Sequence, residues 1–327
     1  MTDTDWIQAV VTQVRLEADQ VISMVLSPTA GETLPGWEAG AHIDVRLPSG
    51  LIRQYSLCGD PADPHYTIAV LRESAGRGGS AELHDTALVG TTLALRGPRN
   101  HFALRPAARY VFVAGGIGIT PVLAMARHAT RHGVPWSLHY GGRRPDTMAF
   151  ARELRDLAHQ AGASLTLRSD SAEGPLPLHD IVREAPEDSL LYACGPSGML
   201  TALRAAVESD RPDLTLITEQ FTAAQPPAPA PDDEDTTPAA AFEVELARTG
   251  ETVTVEPGTS ILEAVRAVRP DVLYSCEEGF CGTCETKVLA GKPVHQDTIL
   301  SEKERAAGNT MMICVGGCAS RRLVLDL

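Results

Sequence analysis

The sequence predicts a multidomain chain: an antiparallel β-barrel, an α/β domain on a parallel sheet, and a small α+β unit of β-grasp type. Three observations carry this. Short β-rich runs broken by Gly/Pro turns fill the first hundred or so residues. Strand-like and helix-like runs then alternate, and a Pro/Asp-rich stretch isolates the last 86 residues. The length of 327 residues agrees, since single cores stop growing near about 250–300 residues.

Residues 1–105 are expected to form the barrel. Ile22–Leu26, His42–Leu47 and Tyr66–Leu71 read as strands, and 42–47 alternates as a half-buried antiparallel strand does. Over 106–221, Tyr110–Ala114, Trp136–Tyr140, Ser164–Leu167 and Leu190–Ala193 read as strands. Thr120–His132, Met148–Ala161 and Ser197–Glu208 read as helices. That alternation implies a parallel sheet with right-handed crossovers. Residues 222–241, TAAQPPAPAPDDEDTTPAAA, hold five prolines and a run of four acids, the composition of a solvated, semi-rigid linker. Beyond it, Phe242, Val244 and Leu246 alternate with polar residues, turn at Thr249-Gly250-Glu251 and return through Val253 and Val255. Ser260 and Glu263 form a capping box for a helix whose apolar face is Ile261, Leu262, Val265 and Val268, and Pro270 stops it.

The formal charge of −14, from 28 basic and 42 acidic residues, argues against a nucleic-acid partner. It divides as −6 over 1–221, −4 in the linker and −4 beyond. Part of it is therefore linker solvation, and Glu277, Glu278 and Glu285 are a candidate docking rim. Met1–Trp6 is acidic and has no apolar segment of a secretory signal. The longest uncharged run, Tyr110–Ala126, holds three glycines and a proline and falls short of the roughly 20 apolar residues of a membrane helix. A cytoplasmic protein that neither spans a membrane nor uses disulfides is expected.

Seven cysteines are present, five of them between Cys276 and Cys318. Cys276-x4-Cys281-x2-Cys284, with Cys314 after a further 29 residues, is the plant-type spacing for a [2Fe–2S] cluster. Gly279 and Gly282 supply the backbone freedom to wrap an inorganic core. The alternative is zinc on the Cys281/Cys284 and Cys314/Cys318 pairs, which orphans Cys276. Cys318 otherwise reads as a small buried hydrophobe.

Two further constellations suit nucleotide cofactors. Arg53-Gln54-Tyr55-Ser56-Leu57 ends a strand, and Gly76-Arg77-Gly78-Gly79-Ser80 precedes a helix expected over Ser80–Leu88. Backbone amides there and the Arg53 guanidinium can grip a phosphate; Tyr55 can stack on a flavin ring, and the Ser56 hydroxyl can reach its N5. Leu57 and, on the strand expected over Tyr66–Leu71, Ala69 and Val70 complete the candidate flavin contacts. Gly115-Gly116-Ile117-Gly118-Ile119-Thr120-Pro121 follows an apolar strand and opens a helix. Thr120 is the expected N-cap and Pro121 the first helical residue, so that the helix start faces a pyrophosphate. Pro121 stands where a Rossmann fingerprint would have its third glycine, and a purely structural glycine turn is the competing reading. Cys194-Gly195-Pro196-Ser197-Gly198-Met199 again ends a strand and starts a helix, bringing Cys194 to the carboxyl edge of the sheet.

Together, RQYSL at 53–57, GRGGS at 76–80, GGIGITP at 115–121, YACGPSGM at 192–199, Glu219-Gln220-Phe221 and the terminal cysteines make the chain resemble the phthalate dioxygenase reductase and vanillate O-demethylase reductase group. That group lies within the ferredoxin–NADP+ reductase superfamily and carries its plant-type ferredoxin at the C-terminus. The resemblance covers essentially the whole chain. It implies FMN rather than the alternative FAD, NADH as donor and a Rieske-type terminal oxygenase as acceptor. It assigns Arg53, Tyr55, Ser56 and Ser80 to FMN, and Gly116, Thr120, Cys194, Gly195 and Met199 to the nicotinamide nucleotide. Phe221 is placed near the flavin ring. In that superfamily Ser/Arg residues after the third strand of the sheet grip the NADP 2′-phosphate; here the place reads Ser169-Asp170-Ser171, and Asp170 would favour NADH. Arg143, Arg144 and Arg168 lie close by in sequence.

The expected chemistry is a conversion of electron number. A hydride passes from NADH to flavin N5, and the electrons leave singly through the cluster. Ser56 tunes N5, Cys194 and Glu219 position the nicotinamide, and no general base is nominated. The competing expectations are a bare electron carrier with a relic flavin domain, and a reductase serving a cytochrome P450 or other monooxygenase.

Overall fold

The computed structural model describes residues 6–29, 31–73, 78–86, 88–221, 241–274, 277, 279, 282–297 and 299–327. It divides into two compact units, Met1–Phe221 and Thr222–Leu327. The expected linker, apart from residue 241, lies outside the described residues.

The first unit begins with six antiparallel strands: β1 (Ile7–Ala18), β2 (Val21–Pro28), β3 (His42–Arg46), β4 (Ile52–Ser56), β5 (Tyr66–Leu71) and β6 (Thr92–Arg99). Their order is β4-β3-β6-β1-β2-β5. The ends meet where Leu57 bridges Ile68 and the Cys58 amide donates to the Thr67 carbonyl at 2.9 Å, closing the barrel. A short helix, α1 (Gly79–Asp85), lies between β5 and β6. Strand β3 departs from the expected half-buried alternation. His42 through Val45 are all buried, and Asp44 is 0% exposed. Its polar face is covered because Asp44 accepts from Arg96 and Arg99, each at 2.7 Å, a paired buried charge rather than a solvated one.

The parallel sheet consists of β7 (Arg109–Gly115), β8 (Trp136–Gly142), β9 (Ser164–Ser169), β10 (Ser189–Cys194) and β11 (Leu216–Glu219) in the order β11-β10-β7-β8-β9. Five helices connect them: α2 (Ile119–Arg131), α3 (Ala151–Ala161), α4 (Asp170–Glu173), α5 (Leu178–Glu184) and α6 (Ser197–Asp210). The strand order reverses between β7 and β10, the place where open α/β sheets collect ligands. One apolar cluster runs from barrel residues such as Met24 and Ile43 through Phe112, Val122 and Leu138 of the parallel-sheet half. Arg127 of α2 donates to the Cys58 carbonyl of the barrel and pairs with Glu153 of α3. The Tyr192 hydroxyl, on β10, accepts from the Arg105 amide at 2.8 Å and donates to the Ala103 carbonyl at 3.0 Å, tying the connector to the sheet.

The second unit runs β12 (Phe242–Leu246), β13 (Glu251–Val255), α7 (Ile261–Val268), β14 (Glu285–Ala290), β15 (Pro293–Val294), α8 (Glu302–Ala307), β16 (Thr310–Met312), β17 (Gly317–Cys318) and β18 (Arg322–Leu325). Its sheet order is β13-β12-β18-β14-β16. The last strand, β18, pairs in parallel with the first, β12, as a β-grasp requires. The expected capping box forms, with the Glu263 amide donating to Ser260 Oγ at 3.1 Å. Ile261, Leu262 and Val265 join Val244, Leu246 and Leu323 in the core.

Candidate cofactor sites

Register brings the flavin candidates together. On β4, Arg53, Tyr55 and Ser56 stand opposite Val45, Ile43 and His42 of β3. A Cβ placed on Gly79 would lie 2.7 Å from Arg53 Cγ and Nε, so the Arg53 side chain runs directly beneath the start of α1, and only glycine fits there. The two motifs therefore form one patch, although Gly76 and Arg77 lie outside the described residues. Gly78, φ +83°, faces open space. Helix α1 starts at Gly79 and ends at Asp85 rather than spanning 80–88. Ser80 Oγ accepts from the Glu73 amide at 3.1 Å. Burial raises the Tyr55 phenol's pKa. Leu57, Ala69 and Val70 are buried, and their side chains fill the core beneath the patch. The Val70 carbonyl already lies 3.0 Å from His84 Nε2.

Among the described residues Ser56 Oγ is buried without a hydrogen-bond partner, and so is Nε2 of its cross-strand neighbour His42. Burial, then the Arg99 charge, pushes the His42 pKa down to about 3, so the ring is neutral. Two orphaned polar atoms on the same strand pair as Arg53 suit the polar edge of a flavin, since buried polar groups normally find partners. Sequence reasoning passed over His42, whose only signal was a polar residue opening an apolar strand.

At the reversal point the ends of three strands line up: Cys194 of β10 sits opposite Ala114 of β7 and Glu219 of β11. The two loops beyond them touch main chain to main chain. A Cβ on Gly118 would lie 2.3 Å from the Cys194 carbonyl oxygen. One on Gly115 would lie 2.7 Å from Pro196 Cδ, and one on Gly195 2.6 Å from Met199 Cε. Gly116 differs: its φ is +54° and nothing stands within 4 Å, leaving a bare shelf over which a nucleotide can lie. Thr120 is not the N-cap. Helix α2 is capped by Gly118, Thr120 is its second residue and donates to the Ile117 carbonyl at 3.0 Å, and Pro121 is its third. Pro121 remains tolerable because first-turn amides have no helical partner.

Cys194 is 0% exposed, and burial, then the Glu219 charge, raises its pKa well above that of an ordinary thiol. Burial also pushes Glu219 up to about 8, and its buried Oε2 has no partner among the described residues. Phe221 is half-buried against the same core. Asp170 is exposed at the start of α4. Arg168 donates to the carbonyls of Glu173 and Gly174, and Arg144 pairs with Asp146 and Asp19, each at 2.8 Å. Both arginines are thus engaged within the chain.

In the second unit Cys284 and Cys314 are buried at one end of the β14–β16 ladder, where Glu285 opposes Met312. The Ile313 amide approaches the Cys284 carbonyl at 3.5 Å. Cys276 and Cys281 lie outside the described residues. Two buried cysteines on adjoining segments, with Gly279 at φ +74° between Cys276 and Cys281 in sequence, suit a thiolate-bound cluster. Cys318 is half-buried rather than a core hydrophobe: it sits on β17 and its thiol donates to the Ser320 carbonyl at 2.8 Å.

The 2Fe-2S iron-sulfur cluster binding domain family matches residues 244–316, and the oxidoreductase NAD-binding domain family matches 112–205. The chain is 44% identical over 312 residues to the phenoxybenzoate dioxygenase subunit beta of Ectopseudomonas oleovorans, covering 95% of this chain and 94% of that one. Phthalate dioxygenase reductase superposes with a TM-score of 0.73 at 32% identity over 99% of both chains. An intact type IV self-sufficient cytochrome P450 monooxygenase superposes with a TM-score of 0.82 at 40% identity over 98% of this chain, which spans 41% of that longer one. Among the described residues no helix is long and apolar enough to cross a membrane. With cluster-binding and NAD-binding domains and near-complete coverage in both directions, the chain belongs to the phthalate dioxygenase reductase family of oxidoreductases.

Proposed function

We propose that the chain is the reductase component of an oxygenase system, drawing electrons from NADH through FMN and a [2Fe–2S] cluster and delivering them singly to a Rieske-type terminal oxygenase. The observation that carries this reading is the alignment of Cys194 and Glu219 with the bare Gly116 shelf at the sheet's reversal point, in the same compact unit as the Arg53–Ser56 patch. In the same proposal 1–105 is the flavin unit, 106–221 the nicotinamide unit, 222–241 a linker and 242–327 the cluster unit, in a cytoplasmic protein.

Bound flavin and cluster supply the conversion of a two-electron donor into single electrons. The chain's residues bind and orient. Arg53 grips the phosphate with a charge-assisted fork. Tyr55 stacks on the ring, and Ser56 Oγ, with no partner among the described residues, donates to N5. Asp170 accepts from ribose hydroxyls and repels a 2′-phosphate. Cys194, kept neutral by burial, packs against the nicotinamide as a soft wall and does not attack it as a thiolate. Glu219 presents its unpartnered oxygen to the carboxamide. Cys276, Cys281, Cys284 and Cys314 hold the cluster.

Reconstitution with purified Rieske oxygenases tests the acceptor, with NADH-dependent substrate turnover expected. A second reading, service to a cytochrome P450, is favoured by the likeness to the self-sufficient monooxygenase. NADH-dependent reduction of P450 haem, with no turnover by any Rieske partner, would select it instead.

A further inference from the structure

A dense group of unpartnered polar atoms lies in the second unit, away from the cysteines in sequence. Both ring nitrogens of His295, Oδ2 of Asp297 and Nε of Arg305 are buried without a hydrogen-bond partner among the described residues. The side chains of His295 and Asp297 are 9% and 1% exposed. Asp297 Oδ1 accepts from the Ile299 amide at 3.1 Å and the Leu300 amide at 2.8 Å, closing a side-chain turn. Its basic neighbours stand off: His295 Nδ1 lies 3.8 Å from Oδ2, and Arg305 Nη2 lies 3.9 Å from Oδ1. Arg305 instead donates to the Asp297 main-chain oxygen at 2.5 Å and is 39% exposed.

An asparagine would serve that turn equally well, since its side-chain oxygen accepts the same two amides. The negative charge is therefore not required by the local fold, and a buried carboxylate whose ion pairs are as long as 3.8 and 3.9 Å is costly. Its position suggests a use. A Cβ on Gly279 would lie 3.1 Å from Asp297 Cα, 3.4 Å from Asp297 Cβ and 2.6 Å from Val315 Cγ2. Gly279 lies between Cys276 and Cys281, and Val315 follows Cys314. Asp297 thus lies against Gly279, which in turn lies against Val315 beside Cys314.

We propose that Asp297 and Arg305 set the reduction potential of the [2Fe–2S] cluster electrostatically, an inference that rests on the cluster reading above. Reduction adds one electron to the cluster and changes no bond, so a nearby fixed anion disfavours the reduced form and a nearby cation favours it. Asp297 is the more deeply buried, is less screened and dominates. The low potential that results drives the electron onward to an acceptor.

The test uses the full-length chain with Asp297→Asn and Arg305→Gln. Iron and sulfide content and visible circular dichroism are read first, then the midpoint potential by anaerobic titration followed by electron paramagnetic resonance. Unchanged cluster content is expected, with a potential shifted upward in D297N and, by a smaller amount, downward in R305Q. Unmoved potentials, shifts of the same sign in both variants, or loss of the cluster in D297N would overturn the inference and leave Asp297 as a loop support. A wild-type chain without iron and sulfide would overturn the cluster reading itself.

Discussion

The glycine loop after β7 and the described residues of the segment before β14, which include Gly279, are held by different physics. The first is a steric lock. Gly115, Gly118 and Gly195 let two main chains touch, with separations that no Cβ could occupy. The second, among its described residues, has a comparable close approach at Gly279, against Asp297, whose buried Oδ2 has no hydrogen-bond partner among the described residues. A site that positions a nucleotide for hydride transfer depends on sub-ångström placement, which close packing supplies. A site that stores an electron depends on potential, which fixed charge supplies. The contrast suggests that the nicotinamide loops should respond to volume and the cluster loop to charge.

The largest effect should come from the cluster ligands. Cys284→Ser is expected to abolish NADH-dependent cytochrome c reduction while leaving NADH–ferricyanide reduction, which needs only the flavin, within about twofold. Cys318→Ser should leave both intact, because that thiol is occupied by the Ser320 carbonyl. Loss of metal in both variants would favour the zinc pairing. Next comes volume. Gly118→Ala forces a methyl onto the Cys194 carbonyl at 2.3 Å and should destabilise the first unit by roughly 1–3 kcal/mol or more, with a sharp rise in the NADH dissociation constant. Gly116→Ala meets no atom within 4 Å and should cost only about 1–2 kcal/mol for its left-handed backbone. Equal melting temperatures for the two variants would break the comparison.

Smaller effects follow. Ser56→Ala removes a single hydrogen bond to N5, worth on the order of 1–1.5 kcal/mol, and should slow flavin reduction in stopped-flow measurements about tenfold. A wild-type rate would dismiss that role. Smallest is the pH dependence from Glu219. Its folded pKa, about 8, lies above its ordinary value of 4.5, so the folded state holds its proton more tightly. The resulting stability is fully present below about pH 4.5 and is lost as pH rises through about 8. Glu219→Gln should therefore melt progressively higher than wild type between pH 6 and 9. A constant difference across that range would contradict the buried, unpartnered carboxylate.

Legibility in the sequence tracked the range of the interactions concerned. Strands β7, β8, β9 and β10 and the long helices were readable because their apolar patterns span a full local period, and so was the Ser260–Glu263 capping box. The helix α5 and edge strand β11 were not, being seven and four residues long and stabilised by packing on neighbours distant in sequence. The alternation of 42–47 misled because Arg96 and Arg99, over fifty residues away, bury Asp44. The nucleotide motifs were visible as motifs, but the division of labour among their glycines was not. Only the register of β7 with β10 reveals that Gly118 packs while Gly116 stands open. Thr120 looked like a cap by residue type, and the extra turn Gly116–Gly118 shifted the helix start ahead of it. His295 and Asp297 carried no sequence signal, since their meaning lies in their proximity to Gly279.

The most direct measurement is an anaerobic titration of the purified full-length chain with NADH, followed by flavin absorbance and by electron paramagnetic resonance of the cluster. Loss of the flavin absorbance together with the rhombic signal of a reduced [2Fe–2S] centre, two electrons entering per NADH, is the expected result. A chain that binds NADH but yields no cluster signal, or whose cysteines hold zinc, would contradict it.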